Sequence, residues 1–429
     1  MTRIFTANYL VSGDAPPIEG GALLAREGKI CARGKVKDLK PDFPEAEVVD
    51  FGEALLVPLL INAHTHLELT DYPKWALETG HTDEPAGFID WILQLIKIKS
   101  QLKIADYQAS LAHGIALSIA SGTGAVGDIL AHHEVRTAYQ KSSLSGCLFL
   151  ETLGHDPAMI QRLNNRLDIA LQETIDSPVK LGLSPHSPYT ISAEYLKQIY
   201  ARCKRDGLRC TTHLAESSEE VDFIESGRGP FASRFYPQIG WENYIPRTSF
   251  CRPAEYLEQQ GGLFPGNLLV HGVQLNNTEI ALLGRKQMHL ALCPRSNARL
   301  NVGKAPAGKL LAAGVNLALG TDSLASCESL SIWDEMTFAH RWFAGELDAP
   351  TLFQLATSGG AKALGVENQL GSLSVGKTAG FQVLRPETPV AENEIFDYFF
   401  SPECPRDIDQ IYHHGKPQLS GQHKQVTLK

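Results

Sequence analysis

The sequence predicts an α/β fold. A (β/α)8 TIM-type barrel, residues 56–370, is inserted into a small β-sandwich domain formed by both termini, 1–55 with 371–429. Three observations carry this reading. Short apolar runs recur eight times in the central part, each followed by an amphipathic segment, and strand–helix alternation builds a parallel sheet. Histidines and an aspartate fall at the ends of those runs, where barrels place their chemistry. The two chain ends instead read as short strands and tight turns, too few at either end to be stable alone.

At the N-terminal end, 4–10, 21–25 and 29–34 read as strands, with Glu27-Gly28-Lys29 as a hairpin turn, and 47–52 continues in the same manner. At the far end, 371–377 and 380–384 read as turn and strand, and 411–416 as a hairpin. The central part opens on Leu55-Leu56-Val57-Pro58-Leu59-Leu60-Ile61, an unbroken apolar run that reads as one strand buried on both faces. It ends in His64-Thr65-His66 and, two residues on, Glu68. Seven more runs follow at 123–128, 147–151, 179–186, 209–213, 267–271, 289–293 and 316–322, with helical patterns such as 193–205 and 352–364 between them. No Gly-x-Gly-x-x-Gly follows the first strand, which disfavours a dinucleotide-binding sheet. Two connections are long: 67–122, with an amphipathic stretch at 88–96, and 217–266, rich in aromatics. Both leave strands at their C-terminal ends and are expected to form the wall and lid of a pocket.

Apolar content of 43% and charged content of 20% are ordinary for a globular enzyme. A net charge of −9 argues against nucleic-acid or anionic-membrane partners. No apolar run has the length of a bilayer span or a signal peptide, so the expected compartment is the cytoplasm. Eight cysteines without a Cys-x-x-Cys pair exclude a zinc ribbon or redox motif. Cys31, Cys203, Cys210, Cys293 and Cys327 are expected to be reduced core residues. A homodimer is the default assembly.

Strand side chains alternate, so His64 and His66 face the same way and converge on one point. His186 follows strand four, His213 lies on strand five, His271 on strand six and Asp322 at the end of strand eight. Packing alone does not explain five of fifteen histidines at one barrel face. His64, His66, His213 and Asp322 supply three imidazoles and a carboxylate with room for water, a catalytic rather than a closed metal site. Such ligands suit one divalent ion, Zn²⁺ first, with Fe²⁺ or Mn²⁺ as alternatives. The metal would lower the pKa of its water towards ~7. Glu216, three residues after His213, is placed to shuttle protons, and His271 to act as base or electrostatic stabiliser.

The ordered set His-Thr-His-Leu-Glu, Ser-Pro-His-Ser-Pro-Tyr-Thr (184–190), Thr-His-Leu-Ala-Glu-Ser (212–217), Val-His-Gly (270–272), Cys-Pro-Arg-Ser-Asn (293–297) and Gly-Thr-Asp-Ser (320–323) resembles the amidohydrolase superfamily. Within it, the set resembles the aminohydrolase branch of nucleoside, base and chlorotriazine enzymes. The resemblance implies a mononuclear metal site at His64, His66, His213 and Asp322, Glu216 as proton shuttle to a ring nitrogen, His271 with Asp322 activating water, and His186 as a substrate contact. Glu68 with Phe88 and Trp91 resembles the pattern of aminodeoxyfutalosine deaminases, with S-adenosylhomocysteine and methylthioadenosine deaminases as rivals. Glu68 would accept hydrogen bonds from ribose hydroxyls, and Trp91 or Phe88 would stack on the base. The expected reaction is hydrolytic deamination of a 6-aminopurine nucleoside-like small molecule. Chlorohydrolysis, cyclic-amide hydrolysis and a catalytically silent metal-binding protein are the alternatives.

Overall fold

The computed structural model describes residues 2–173, 175–246 and 250–420. Its centre is an eight-stranded parallel sheet of Leu60–Thr65, Thr123–Leu130, Ser145–Thr152, Val179–Pro185, Arg209–Leu214, Asn267–His271, His289–Leu292 and Asn316–Leu319. The strands pair in chain order, and a bridge between Thr65 and Asp322 joins last to first, closing the barrel. The first two strands are buried along their whole length, as strands covered on both faces must be. Strand eight approaches strand one closely because residue 320 is glycine. A Cβ there would lie 2.8 Å from the His64 Cβ and carbonyl oxygen. The Asp322 N–H donates to the His64 carbonyl at 3.1 Å, which fixes these two residues against each other.

The ends of the chain form two further sheets. One contains four strands, all N-terminal: Lys29–Lys35, Gly21–Arg26, Thr2–Thr6 and Glu47–Asp50. The other mixes both ends: Lys416–Ser420, Ile408–His413, Phe381–Leu384, Leu55–Pro58, Tyr9–Leu10 and Ile18–Glu19. Phe5, Leu23, Leu56, Phe381 and Tyr412 share one buried cluster, in which the Phe381 and Tyr412 rings stack with centroids 4.7 Å apart.

Several sequence expectations change. The opening apolar run is two strands in two sheets. Leu55–Pro58 pairs antiparallel with Phe381–Leu384, and the barrel begins only at Leu60. Residues 4–10 likewise divide between the two terminal sheets. Residues 371–377 form the expected turns, in which the Leu373 and Gly376 N–H groups donate to the carbonyls of Ser12 and Ile30. The helix at 352–364 contains a π turn, Leu355–Gly359. Cys31 is exposed on the outermost strand of its sheet, whereas Cys203, Cys210, Cys293 and Cys327 are buried.

The two long connections pack against each other. The first contains the helices Phe88–Lys99 and Ile104–Ala120, and the second the π turn Phe231–Phe235. Phe88 meets Phe231 edge-on at 6.3 Å, and Asp90 pairs with Arg234. Among the described residues, no helix is long and apolar enough to cross a membrane.

Candidate active site

The C-terminal rim of the barrel brings together the histidines that the sequence places at strand ends. His64 is 1% exposed, and its Nε2 is buried without a hydrogen-bond partner among the described residues. The Asp322 Oδ1 lies 3.5 Å from His64 Nε2 and 3.6 Å from His66 Nε2. His213 donates its Nδ1–H to the His186 carbonyl at 2.8 Å, which leaves Nε2 as its lone-pair atom. Ligand atoms of His64, His66 and His213 lie within 4.8 Å of one another, as do those of His64, His271 and Asp322. Asp322 Oδ2 accepts from Ser296 Oγ at 2.6 Å and Ser326 Oγ at 2.8 Å, so Oδ1 is left to the imidazoles. Burial opposes the charge on Asp322. Attraction from the nearby His64 ring, then from His66 and His271, outweighs it and holds the carboxyl well below its usual range. A buried orphaned imidazole nitrogen within an N/O donor set, with the ligands oriented by their outer partners, fits a divalent cation.

Glu216 and His271 face each other beside this set, Oε1 to Nε2, at 3.6 Å. His271 donates its Nδ1–H to Asn297 Oδ1 at 2.9 Å, turning the Nε2 lone pair to the site. Burial lowers the His271 pKa to about 4, so the ring is neutral. Burial, then Asp322 and Glu220, push the Glu216 carboxyl well above its usual range. Three non-glycine residues at these strand ends hold positive φ: Ala215 at 51°, His271 at 71° and Asp322 at 59°. Such backbone strain is costly and persists where surrounding contacts fix it. At Ala215 the fixing group is visible, because the Glu220 carboxylate accepts the N–H of both Ala215 (2.8 Å) and Glu216 (2.9 Å).

Glu68, Trp91 and His186 line the same cavity as His66, His213 and Glu216. His186 Nδ1 lies 2.9 Å from both Ser187 Oγ and Thr190 Oγ1, and burial lowers its pKa to about 3. Glu68 is 2% exposed and accepts the N–H groups of Ala131 (3.3 Å) and His132 (3.2 Å). Burial opposes its charge, but the hydrogen bond from His132 and the Lys99 charge prevail, and its pKa is lowered. The Trp91 Nε1–H donates to the Ala325 carbonyl at 3.0 Å, which fixes the indole. Phe88 is buried behind Trp91, with stacked centroids 5.8 Å apart, and does not line the cavity.

Sequence reading missed several groups. Glu151 lines the cavity at the end of barrel strand three, where burial raises its pKa to about 7. The strand-end rule that found the histidines also points to it. Lys99 enters from the helix Phe88–Lys99, and its signal is the spacing 91, 95, 99. His132, whose Nδ1 lies 3.3 Å from both Glu68 carboxyl oxygens, helps hold that acid. Ser296, Ser326, Asn297 and Glu220 act through hydrogen bonds that no spacing reveals.

The amidohydrolase family matches residues 55–417. The chain is similar to the aminodeoxyfutalosine deaminase of Deinococcus radiodurans, 30% identical over 382 residues, 85% of this chain and 86% of the relative. It is also similar to a 5-methylthioadenosine/S-adenosylhomocysteine deaminase of Syntrophobacter fumaroxidans, 31% identical over 86% of this chain and 81% of the relative. Among solved structures, an adenosine deaminase from Xanthomonas campestris with bound zinc superposes with a TM-score of 0.80 at 24% identity, covering 99% of this chain and 94% of that one.

Proposed function

This chain belongs to the amidohydrolase family, as a hydrolase of non-peptide C–N bonds in cyclic amidines, and from that premise we propose that it deaminates a 6-aminopurine nucleoside. The candidate substrate we put first is 6-amino-6-deoxyfutalosine. S-adenosylhomocysteine and methylthioadenosine come second, supported by the Syntrophobacter relative. The observation that carries the reading is the Glu216–His271 pair, 3.6 Å apart, opposite three imidazoles and a carboxylate.

His64, His66, His213 and Asp322 would hold one divalent ion, zinc first. When bound, the ion supplies Lewis acidity that makes water a nucleophile at neutral pH. His271 takes up a proton at Nε2, the nitrogen left free by its bond to Asn297. Glu216 carries a proton on its carboxyl to the ring nitrogen beside the amino-bearing carbon. Attack on that carbon gives a tetrahedral centre; the proton held by His271 passes to the amino group, which leaves as ammonia, while the new hydroxyl gives its proton back to Glu216 and the 6-oxo product forms. His186 contacts the base, the fixed Trp91 indole covers its face, and Glu68 accepts hydrogen bonds from ribose hydroxyls with the lone pairs its backbone donors leave free.

The test is ammonia release by metal-loaded protein from a panel holding these three nucleosides, 5′-deoxyadenosine, adenosine and a chlorotriazine. The reading expects the highest kcat/KM on a 6-aminopurine nucleoside. Chloride release without ammonia, or no turnover across the panel, overturns it.

A further inference from the structure

The helix Phe88–Lys99 turns one face to the catalytic cavity. Trp91, Leu95 and Lys99, four residues apart in sequence, and the flanking Ile92 all line it. Trp91 and Lys99 are separated by eight residues, about 12 Å along the axis. The face thus runs from an indole, past two aliphatic side chains, to an ammonium. Among the described residues, lysine ion pairs are those of Lys74, Lys286 and Lys304, and the Lys99 ammonium has no hydrogen bond.

Its two acidic neighbours in the cavity do not take it up. Glu68 is engaged by Ala131 and His132, and Glu151 is pushed to a pKa of about 7 by burial. Lys99 itself lines the cavity beside Glu68 and Glu151, so its charge acts there. A half-buried cation without a partner, at the end of an apolar strip, is a recognition element for an anion. A dianionic phosphate would set two negative charges against one cation in the company of Glu68. A carboxylate matches the single charge.

We propose that Lys99 anchors a carboxylate at the far end of the substrate's 5′ substituent, with Ile92 and Leu95 as the apolar wall along which that substituent lies, beyond the indole that covers the base. The inference rests on the nucleoside-deaminase reading and adds a specificity residue to it. It sorts candidate substrates by charge, favouring anionic 5′ groups over neutral ones.

The experiment compares a 6-aminopurine nucleoside bearing a 5′-linked aryl or alkyl carboxylic acid with its methyl ester. Ammonia release is followed with the metal-loaded wild type, Lys99→Met and Lys99→Arg. The expected wild-type acid-to-ester ratio of kcat/KM is about tenfold or more, the scale of one charge-assisted hydrogen bond. In Lys99→Met the ratio collapses towards one, chiefly through the KM of the acid, and Lys99→Arg restores most of it. A ratio that Lys99→Met leaves unchanged, with both substrates falling together, makes Lys99 a counter-charge to Glu68 and Glu151 and overturns the inference. Wild-type turnover without preference for the acid overturns it alone. No turnover of either nucleoside overturns the deaminase reading, and this inference with it.

Discussion

Glu220→Gln separates placement of the Glu216 carboxyl from its chemistry. Glu220 is fully buried, and its two oxygens accept the N–H groups of Ala215 and Glu216 at 2.8 and 2.9 Å, across a residue held at φ 51°. Glutamine keeps one acceptor and turns an NH2 donor towards the other N–H. One buried donor is then left unsatisfied, which costs about 1–3 kcal/mol, read by urea unfolding. The freed turn lets the Glu216 carboxyl move from its 3.6 Å approach to His271. A misplacement of about 1 Å costs up to ~100-fold in rate, so kcat falls about 10- to 100-fold. KM changes by no more than about threefold, because the lost interaction belongs to the reaction rather than to binding. Metal content stays at the wild-type value, because none of the four proposed ligands bonds to Glu220. A variant that loses the expected stability yet keeps kcat within about twofold refutes the reasoning, since the Glu220 bonds would then serve folding alone.

Other perturbations give separate readouts. Ser296→Ala removes the 2.6 Å donor to Asp322 Oδ2 and leaves Ser326 at 2.8 Å, so metal affinity in a competing-chelator titration drops about 10- to 100-fold. Unchanged affinity would show that Ser326 alone orients the carboxylate. Gln382→Leu strips the partners from the Trp333 indole N–H and the Pro58 carbonyl, each bonded at 3.0 Å, and costs about 2–4 kcal/mol in urea unfolding. A loss below ~0.5 kcal/mol would contradict that account of how the barrel is tied to the terminal sheet. Glu335 is fully buried and pushed to about 8 by burial, despite Arg295. The folded state keeps a proton that the unfolded chain gives up near ~4.3, so this residue's stabilisation is lost as pH rises from about 5 through 8. Glu335→Gln flattens that part of the stability–pH curve, and an unaltered slope counts against it.

The barrel is legible in the sequence because strands buried on both faces must be continuously apolar, and their C-terminal ends carry the few polar residues left. That logic singles out His64, His66, His213, His271 and Asp322 as candidates, and the barrel rim brings them together. It fails at 55–61, where an apolar run says that a segment is buried but not in which sheet. Pairing with Phe381–Leu384, more than three hundred residues away, decides that Leu55–Pro58 belongs elsewhere. Around the site, what the sequence hides is orientation. Trp91 lies on an amphipathic helix and reads equally as core or cavity wall until Leu95 and Lys99 are seen on the same face. Glu68 is visible as an acid after two histidines. Its backbone donors, Ala131 and His132, follow a different strand, and only the closed barrel brings them there.

The most direct test of the central claim is simultaneous measurement of metal content, ammonia and 6-oxopurine product, with wild type and Glu216→Gln, on the best nucleoside of the panel. The account predicts about one divalent ion per chain in both proteins, ammonia and oxopurine released one to one by the wild type, and a fall of at least ~100-fold in kcat for the variant. Full activity in Glu216→Gln, or equal turnover by metal-free protein, would contradict it.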